Sequence, residues 1–538
     1  MVVILYATFV LLFPAGSSPV DKNTNKLIMV CPVFAYNNAR ATFLENNTNY
    51  KVISTSSSDT TSAITNLISI WHRFYHSHNW HLIHTWPKSF DFPYAYTIPK
   101  WKDVALRLPT VRSRPIVSCV AHPCRQLFRC VGQVILFCLQ KIDCLHISLW
   151  KTQDLKPWIL ALSNLSSLPY GTNTRFLCGP GDIANCFDRL SHTYILDSLQ
   201  WLFASIYQKH RSRGGRFHVN HSTNRADFGR AFDSCSCCEF DSNDAFNVVL
   251  FALDNSFFRL GNHLLRQILG SPMGAQMSSS LAMLVCIRGE HLTLSSLGND
   301  VKLITAKRYV DDVAALIFYK HNDIPSLEKA KKILATLRNC YHSSLIVKAG
   351  DVIGNSFTFL DSIISCSDHK VSLAYYNKNH HTILSTPPHQ AIIRFTPFNS
   401  FGPDHSKINV ISNLLSRIHN CSQSDAAFYT SACALLTELI LCASYPPRFI
   451  CSRIYALASA KPPLPHLQHL LSFISNFRPD TALMFIRTNF LLTHNTHFAD
   501  RPTHSTPAQP IWHYQRTHQH KRHILAHITP SLDTGLYI

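Results

Sequence analysis

The period of hydrophobic and polar positions changes several times along the chain, and each change marks an element. Residues 2–14 (VVILYATFVLLFP) form one apolar run. It has the length of a signal-peptide core but lacks the usual basic leader, and it is shorter than the roughly 20 residues of a membrane span. A buried first strand or helix, or an arbitrary start of a reading frame, suits it equally well. Residues 20–70 are rich in Asn, Ser and Thr with little periodicity, which predicts a loose N-terminal region. Aromatics and histidines crowd together from Trp71 to Trp101, as in a helical cap on the next lobe. The basic, proline-punctuated stretch from Arg107 to Ser118 ends in a β-branched run and predicts a strand or hairpin. Residues 124–150 predict helix.

A second block starts at Arg175. RFLCGPGDI predicts a short strand with a turn, shortened by Pro180, and LSHTYILDSLQWLFASIYQKH an amphipathic helix. Residues 211–243 are polar, contain glycine and cysteine, and predict an insertion or loop. AFNVVLFALDNSFFRLGNHLLRQILG carries strand and hairpin signals with Gly261-Asn262 as the turn, and SSSLAMLVCIRGEHLTLSSL reads as an apolar helix. KLITAKRYVDDVAALIFY predicts a β-hairpin with two aspartates at its turn, and SLEKAKKILATLRNCYHS a charge-patterned helix. SFTFLDSIISC and KVSLAYYNK predict further strands. Beyond residue 400 the pattern is mostly helical with a break at Pro446-Pro447, and no internal repeat is visible.

Composition adds a partner. The 538 residues are 46% hydrophobic, enough for a sizeable core, and 50 Lys and Arg stand against 31 Asp and Glu for a net charge of +19. Such an excess favours a polyanion, since each phosphate contact by Lys or Arg releases condensed counterions. A ribosomal or membrane-surface protein would also carry that charge. The 18 cysteines are scattered, without zinc-finger spacing, and read as reduced thiols of an intracellular protein. The group Cys235, Cys237 and Cys238 could hold a metal or be oxidised. The tail carries His513, His518, His520, His523 and His527, which reads as a solvated stretch binding nucleic acid weakly or, alternatively, a metal tract.

The chemistry is concentrated in three places. In Tyr309-Val310-Asp311-Asp312, apolar runs place two adjacent carboxylates at the tip of a tight hairpin. Adjacent acids repel, and a divalent cation such as Mg²⁺, bound through one or two carboxylates plus substrate phosphates, explains such a pair. Alone, the tetrad reads better as a solvated hairpin turn. Upstream, Asp182 ends a strand signal, with Phe187 five positions on. Two-metal phosphoryl transfer needs a carboxylate from a second strand to bridge ions about 3.5–4 Å apart, and Asp182 supplies one. A helix-capping role for Asp182, and Asp188 as a rival acid, remain open. Between the acids lies Gln267-Ile-Leu-Gly270-Ser-Pro272-Met-Gly274-Ala-Gln-Met-Ser278, whose glycines and proline open an apolar helix with a rigid turn that another backbone can approach.

In this order, with 41 residues from Gly270 to Asp311, these motifs resemble the reverse transcriptases: an aspartate-x4-aromatic strand, a Q-x2-G-x-P-x-G-x3-S junction and a Y-x-D-D hairpin. Arg112-Ser-Arg114-Pro115-Ile116 resembles their basic fingers hairpin. Phe359-Leu360-Asp361, Tyr375-Tyr376-Asn377-Lys378 and Ser444-Tyr445-Pro446 resemble the FLD strand, the aromatic YxK and the thumb step of the Penelope-like retroelement branch. The similarity runs from about residue 105 to residue 460. No GIY-YIG endonuclease pattern follows residue 480, and the insertion between Asp182 and Gln267 has no assignable motif.

The resemblance implies an α+β fold, a right-hand polymerase with fingers (101–174), a palm with an antiparallel sheet (175–370) and a helical thumb (371–480), flanked by an N-terminal extension (1–100) and a basic, His-rich tail (481–538). It implies that Asp182 and Asp311 ligate two Mg²⁺ ions, with Mn²⁺ as a substitute, and that Asp312 completes the acidic group. Arg114, with Arg112, would clamp the triphosphate. Phe187 would lie beneath the sugar and exclude a 2′-hydroxyl, while Gln267, Gly270 and Gly274 shape the nucleotide and template pocket. Phe359, Leu360, Asp361, Tyr309 and Lys378 would hold primer and template, and Lys407, Arg417, Arg448 and Arg453 would track the duplex. Lys348 lies where it could protonate pyrophosphate, or it is a surface lysine. The expectation is an RNA-directed DNA polymerase using an RNA template, a DNA primer and deoxynucleoside triphosphates, in an intracellular, nuclear setting without stable membrane association. An RNA-templated RNA polymerase and a degenerate, non-catalytic nucleic-acid-binding fragment are the alternatives.

Overall fold

The computed structural model describes residues 17–20, 23–29, 37–46, 48–78, 86–99, 112–162, 164, 168–210, 215–220, 223–229, 237–377, 395, 397–399, 404–458 and 467–494. The apolar run at 2–14, Cys235, Lys378 and the histidine tail lie outside the described residues. Helix and sheet are mixed throughout. The strands are β1 (Ser17–Val20), β2 (Asn23–Met29), β3 (Tyr50–Ser54), β4 (Tyr94–Pro99), β5 (Ser113–Ser118), β6 (Thr174–Ala184), β7 (Arg216–Asn220), β8 (Arg225–Phe228) and β9 (Cys237–Asp241). They continue with β10 (Phe257–Leu260), β11 (His263–Gln267), β12 (Ile304–Tyr309), β13 (Asp312–Lys320), β14 (Ile346–Ala349), β15 (Ser356–Phe359), β16 (Ser362–Ser367) and β17 (Lys370–Tyr375). The helices that matter here are α1 (Ser57–Ser77), α2 (Arg125–Lys141), α3 (Leu155–Ala161), α4 (His192–Lys209), α5 (Ser242–Asp254), α6 (Ser278–Ser296) and α7 (Ile324–Arg338). They are followed by α8 (Asp404–Asn420), α9 (Asp425–Ala443), α10 (Pro447–Ala458) and α11 (Leu467–Ser475).

The central sheet has the order β12-β13-β6-β14, all antiparallel. Its strand β6 runs unbroken for 11 residues through Pro180, so the proline does not shorten it. The reason is local. The Pro180 carbonyl accepts from Gly350 N (2.9 Å), which places the ring nitrogen on the β14 side, where that ladder ends at Ala349 and asks for no donor. On one face, Gly179 lets α7 approach so closely that a Cβ there would sit 2.3 Å from Leu334.

A second sheet, β3-β11-β10-β4-β5, recruits strands from before residue 100. The stretch expected to be loose therefore holds β3 and α1, whose Trp71 and Tyr75 are fully buried. Side chains of that size bury enough apolar surface to hold the helix despite its polar sequence. Residues 211–243, expected as a loop, carry the sheet β8-β7-β9, in which Phe217, Val219, Cys238 and Phe240 alternate inward. The strand signal in AFNVVLFALD was also misread: Ser242–Asp254 is α5, started by a capping box between Asp241 and Asp244. The Gly261-Asn262 turn does close the β10–β11 hairpin, and the helix expected over 124–150 stops at Lys141.

A third sheet, β15-β16-β17, leads into the helices after residue 400. Phe428, Leu435, Leu436 and Leu439 of α9 join Ile411 and Leu415 of α8 and Ile450 and Ile454 of α10 in one core. By length and composition α9 would pass for a membrane span, and 61% of its most apolar window is buried in this core. Ser444, at φ 59, ends α9 and lets Tyr445 turn inward before Pro447 starts α10.

Candidate active site

The β12–β13 hairpin turns at Val310 and Asp311, and Tyr309 pairs with Asp312 as its closing residues. Val310 is left-handed at φ 58, an unfavourable conformation for a β-branched side chain. Asp312, as the first residue of β13, stands directly opposite Asp182 on β6. Opposed residues of an antiparallel pair share a face, with Cβ atoms about 4.5–5.5 Å apart. The next strand places Lys348 opposite Asp182 on the other side. Asp311 is held by its main chain, its carbonyl accepting from Ile183 N (2.9 Å). The acid in register with Asp182 is thus Asp312, and Asp311 lies at the turn beside them.

Two opposed carboxylates repel across a ladder, so a cation between them relieves the cost. Among the described residues no group of three or more His, Cys, Asp or Glu converges into a metal cage. Mg²⁺ does not require one, because it takes one or two carboxylates and completes its shell with water and substrate phosphates. The opposed pair, exposed at Asp182 and half-buried at Asp312, fits that habit.

The glycine-proline junction packs on the turn that follows Asp182. After β6, Asn185 at φ 51 leads into a short 3-10 turn, Cys186–Arg189, that carries Phe187. Gly270 N donates to the Leu190 carbonyl (2.8 Å) and Ser271 N to the Phe187 carbonyl (2.8 Å). A Cβ on Gly270 would meet that Phe187 carbonyl at 2.6 Å. On the other side Val117 N donates to the Met273 carbonyl (3.1 Å), and a Cβ on Gly274 would lie 2.3 Å from the Val117 carbonyl. Ser278 closes the loop through its hydroxyl to the Pro272 carbonyl (2.7 Å). Gln267 is 1% exposed; its amide donates to the Leu269 carbonyl (3.0 Å) and its Oε1 is buried without a partner. Buried acceptors left without a donor are uncommon in folded proteins.

A polar cavity of about 480 Å³ opens between β5 and this turn, lined among others by Ser113, Pro115, Asn185, Asp188, Arg189 and Leu269. Asp188, the rival acid, is buried there rather than beside Asp182. Arg114 lies on β5 between Ser113 and Pro115, opposite Ile98 of β4, and Arg112 precedes the strand. Alternation puts the Arg114 side chain on the face away from those two cavity residues.

Farther along, the β15–β16 turn is Leu360-Asp361, with Leu360 at φ 57 and Phe359 buried. Asp361 forms an ion pair with Arg417 of α8, and its carbonyl accepts from Tyr376 N (2.7 Å). The cations expected to track a duplex are differently engaged. Arg417 is taken by Asp361, Lys407 is buried beside Asp404 and over the Phe398 ring, Arg453 stacks over Phe449, and Arg448 is exposed. The sequence reading also passed over Arg308 and Glu290, each 1% exposed and ion-paired beneath the hairpin. The signal was present: Glu290 is the one acid of α6 and follows the apolar run Leu281–Ile287, and acids packed into such a helix are seldom buried unpaired.

Residues 394–455, which include α8, α9 and most of α10, match the animal helix-turn-helix domain family. A search of curated proteins finds no match. Among solved structures, the chain is similar to telomerase from Candida albicans in complex with a TWJ fragment of telomeric RNA. That match has 10% identity over 86% of this chain and 73% of that one, at a TM-score of 0.45. Apo telomerase from Candida tropicalis matches at 13% identity over 89% of this chain and 75% of that one, at a TM-score of 0.46. A sicinivirus RNA-dependent RNA polymerase matches at 13% identity over 62% of this chain and 54% of that one, at a TM-score of 0.29.

Proposed function

We propose that this chain is a template-directed nucleic-acid polymerase of the reverse-transcriptase type, an RNA-directed DNA polymerase of a Penelope-like retroelement. One observation carries the reading. Asp182 stands in register with Asp312 at the Tyr309–Asp312 hairpin, and the Gly270–Ser278 junction is hydrogen-bonded to the turn that follows Asp182. Three motifs far apart in sequence thus meet at one place.

Asp182, Asp311 and Asp312 would hold two Mg²⁺ ions, or Mn²⁺, which when bound lower the pKa of the primer 3′-hydroxyl and neutralise charge on the triphosphate. The residues of the chain do the rest. The acidic group orients the hydroxyl toward the α-phosphorus, where the new P–O bond forms as the bond to pyrophosphate breaks. Lys348, in register with Asp182, sets a positive charge at the same cleft. Phe187, on the turn whose Asn185, Asp188 and Arg189 line the cavity, would supply a bulky ring that favours deoxynucleotides, and Gln267, Gly270 and Gly274 would shape the pocket from the adjoining junction. Arg112, just before β5, would supply a phosphate contact, whereas Arg114, expected to clamp the triphosphate, faces away from the cavity. Phe359 and Leu360, at the turn that Asp361 ties to α8, would support the primer end.

Asp311→Asn should abolish Mg²⁺-dependent extension of a DNA primer on an RNA template, a loss of at least about a thousandfold, while the protein stays folded. Undiminished synthesis by that variant would sink the assignment. Preference for ribonucleotides in the same assay would favour an RNA polymerase, and inert wild-type protein that still binds the template would favour a non-catalytic binder.

A further inference from the structure

Arg308 is the penultimate residue of β12, two residues before Val310 of the turn, and is fully buried. Its guanidinium is gripped from three sides. Nε donates to Glu290 Oε1, Nη1 to the Val310 carbonyl (2.9 Å) and Nη2 to Ser148 Oγ (2.6 Å). Glu290, on α6, accepts in addition from the Tyr341 hydroxyl (3.1 Å) and from Ile147 N (3.1 Å). The Arg308 main chain is fixed as well, donating to the Ile147 carbonyl and accepting from Leu149 N, both at 2.7 Å. Burial works against the charged guanidinium, and Glu290, with Cys286 and Tyr341, more than reverses it, so Arg308 stays charged well above the usual arginine range.

Stability alone does not explain the pair. Replacing a buried ion pair by apolar residues of similar volume is often neutral or stabilising. What an apolar pair cannot do is bond the Val310 carbonyl. That oxygen belongs to the peptide immediately before Asp311, and Val310 is the residue held at φ 58. A planar fork reaches α6, the 147–149 segment and the turn at once, which a single ammonium does not.

We propose that Arg308, locked by Glu290, is the positioning residue of the catalytic hairpin: it pins the Val310 carbonyl in the strained turn and so keeps Asp311 and Asp312 aligned with Asp182. It touches neither substrate nor metal. The proposal rests on the polymerase reading for its consequence, but the alignment can be read without catalysis.

The test is the double variant Arg308→Met/Glu290→Gln, which removes both charges, fills the stem volume and leaves an amide oxygen for Ile147 N. Three quantities are measured on the full chain: thermal unfolding, binding of Mn²⁺ alone by electron paramagnetic resonance, and primer extension in Mg²⁺. The expected result is a folded protein whose Mn²⁺ dissociation constant rises by about tenfold or more and whose kcat falls by about 10–100-fold, with KM for the nucleotide nearly unchanged. Arg308→Lys should fall between the double variant and wild type. Unchanged Mn²⁺ affinity and an unchanged Mg²⁺ profile in the folded double variant overturn the proposal, as does wild-type protein that binds no Mn²⁺. Should the double variant unfold, Ser148→Ala and Tyr341→Phe each remove one bond of the network and must weaken Mn²⁺ binding in the same direction; wild-type affinity in both overturns it. Wild-type protein that binds Mn²⁺ but never extends a primer ends the polymerase reading, and the Mn²⁺ affinities still decide the role of Arg308.

Discussion

At the residue scale, the glycines of positive φ divide into those whose surroundings also exclude a side chain, as in the Gly270–Ser278 junction, and those with room, as in the β10–β11 turn. Gly274 has φ 124, and its missing Cβ would collide with the Val117 carbonyl at 2.3 Å. Backbone rather than a flexible side chain is the obstacle, so relief requires β5 to move. Gly261 has φ 58 with nothing within 4 Å. Gly274→Ala should therefore destabilise the protein by more than about 2 kcal/mol, whereas Gly261→Ala should cost about 1 kcal/mol from backbone strain alone. Chemical denaturation of the two variants side by side checks the contrast; equal losses would mean that contact with β5 adds nothing. The same close approach explains why this junction, read from sequence as a rigid turn, is where β5 and the Phe187 turn meet.

At the element scale, the joint between α1 and α2 depends on a neutral histidine. His122 is buried against Trp71 of α1, ring centroids 4.5 Å apart, and its Nδ1 accepts from Cys124 N (3.0 Å) at the start of α2. An accepting nitrogen cannot carry a proton. Burial accordingly lowers the His122 pKa from 6.5 to about 3. With the folded pKa depressed, the unfolded chain binds more protons between those values, so this contribution to stability is present above pH 6.5 and is lost as pH falls toward 3. His122→Asn keeps an acceptor for Cys124 N and removes the titration. Wild type should lose up to about 2 kcal/mol more than the variant when denaturation is repeated at about pH 5 instead of pH 7. Parallel pH profiles would show that His122 is not the group responsible. Elements were most legible where period and caps agreed, as in α4 and α7, or where turn residues separate two apolar runs, as in the β12–β13 hairpin. They were least legible where polar sequence is held by a few large buried side chains, as in α1, or where a strand-like apolar run starts from a capping box, as in α5.

At the scale of the whole molecule, the net charge of +19 makes its own prediction. If nucleic acid is the partner, affinity for an RNA–DNA duplex should fall at least about 100-fold between roughly 50 and 200 mM salt, through release of counterions from several phosphates. Fluorescence anisotropy of a labelled duplex measures this directly, and a flat salt response would count against a polyanionic ligand. Fewer cations beyond residue 400 are available for that contact than the sequence suggested, because Arg417, Lys407 and Arg453 are engaged within the fold. Asp361–Arg417 joins the β15–β16 turn to α8, whereas Lys407 pairs with Asp404 of its own helix and Arg453 stacks over Phe449 of its own helix.

The sequence by itself determined the order of the motifs, the acids at the hairpin tip, the glycine-proline junction and the helical character beyond residue 400. All of these are local: turn chemistry, apolar period and residue spacing are written in neighbouring positions. Tertiary structure alone decided that Asp312 is the acid in register with Asp182, that β6 tolerates Pro180 at the end of a ladder, and that Arg308 and Glu290 meet beneath the turn. Register and ion pairing between residues far apart in sequence depend on which strands and helices lie side by side, and no local pattern specifies that.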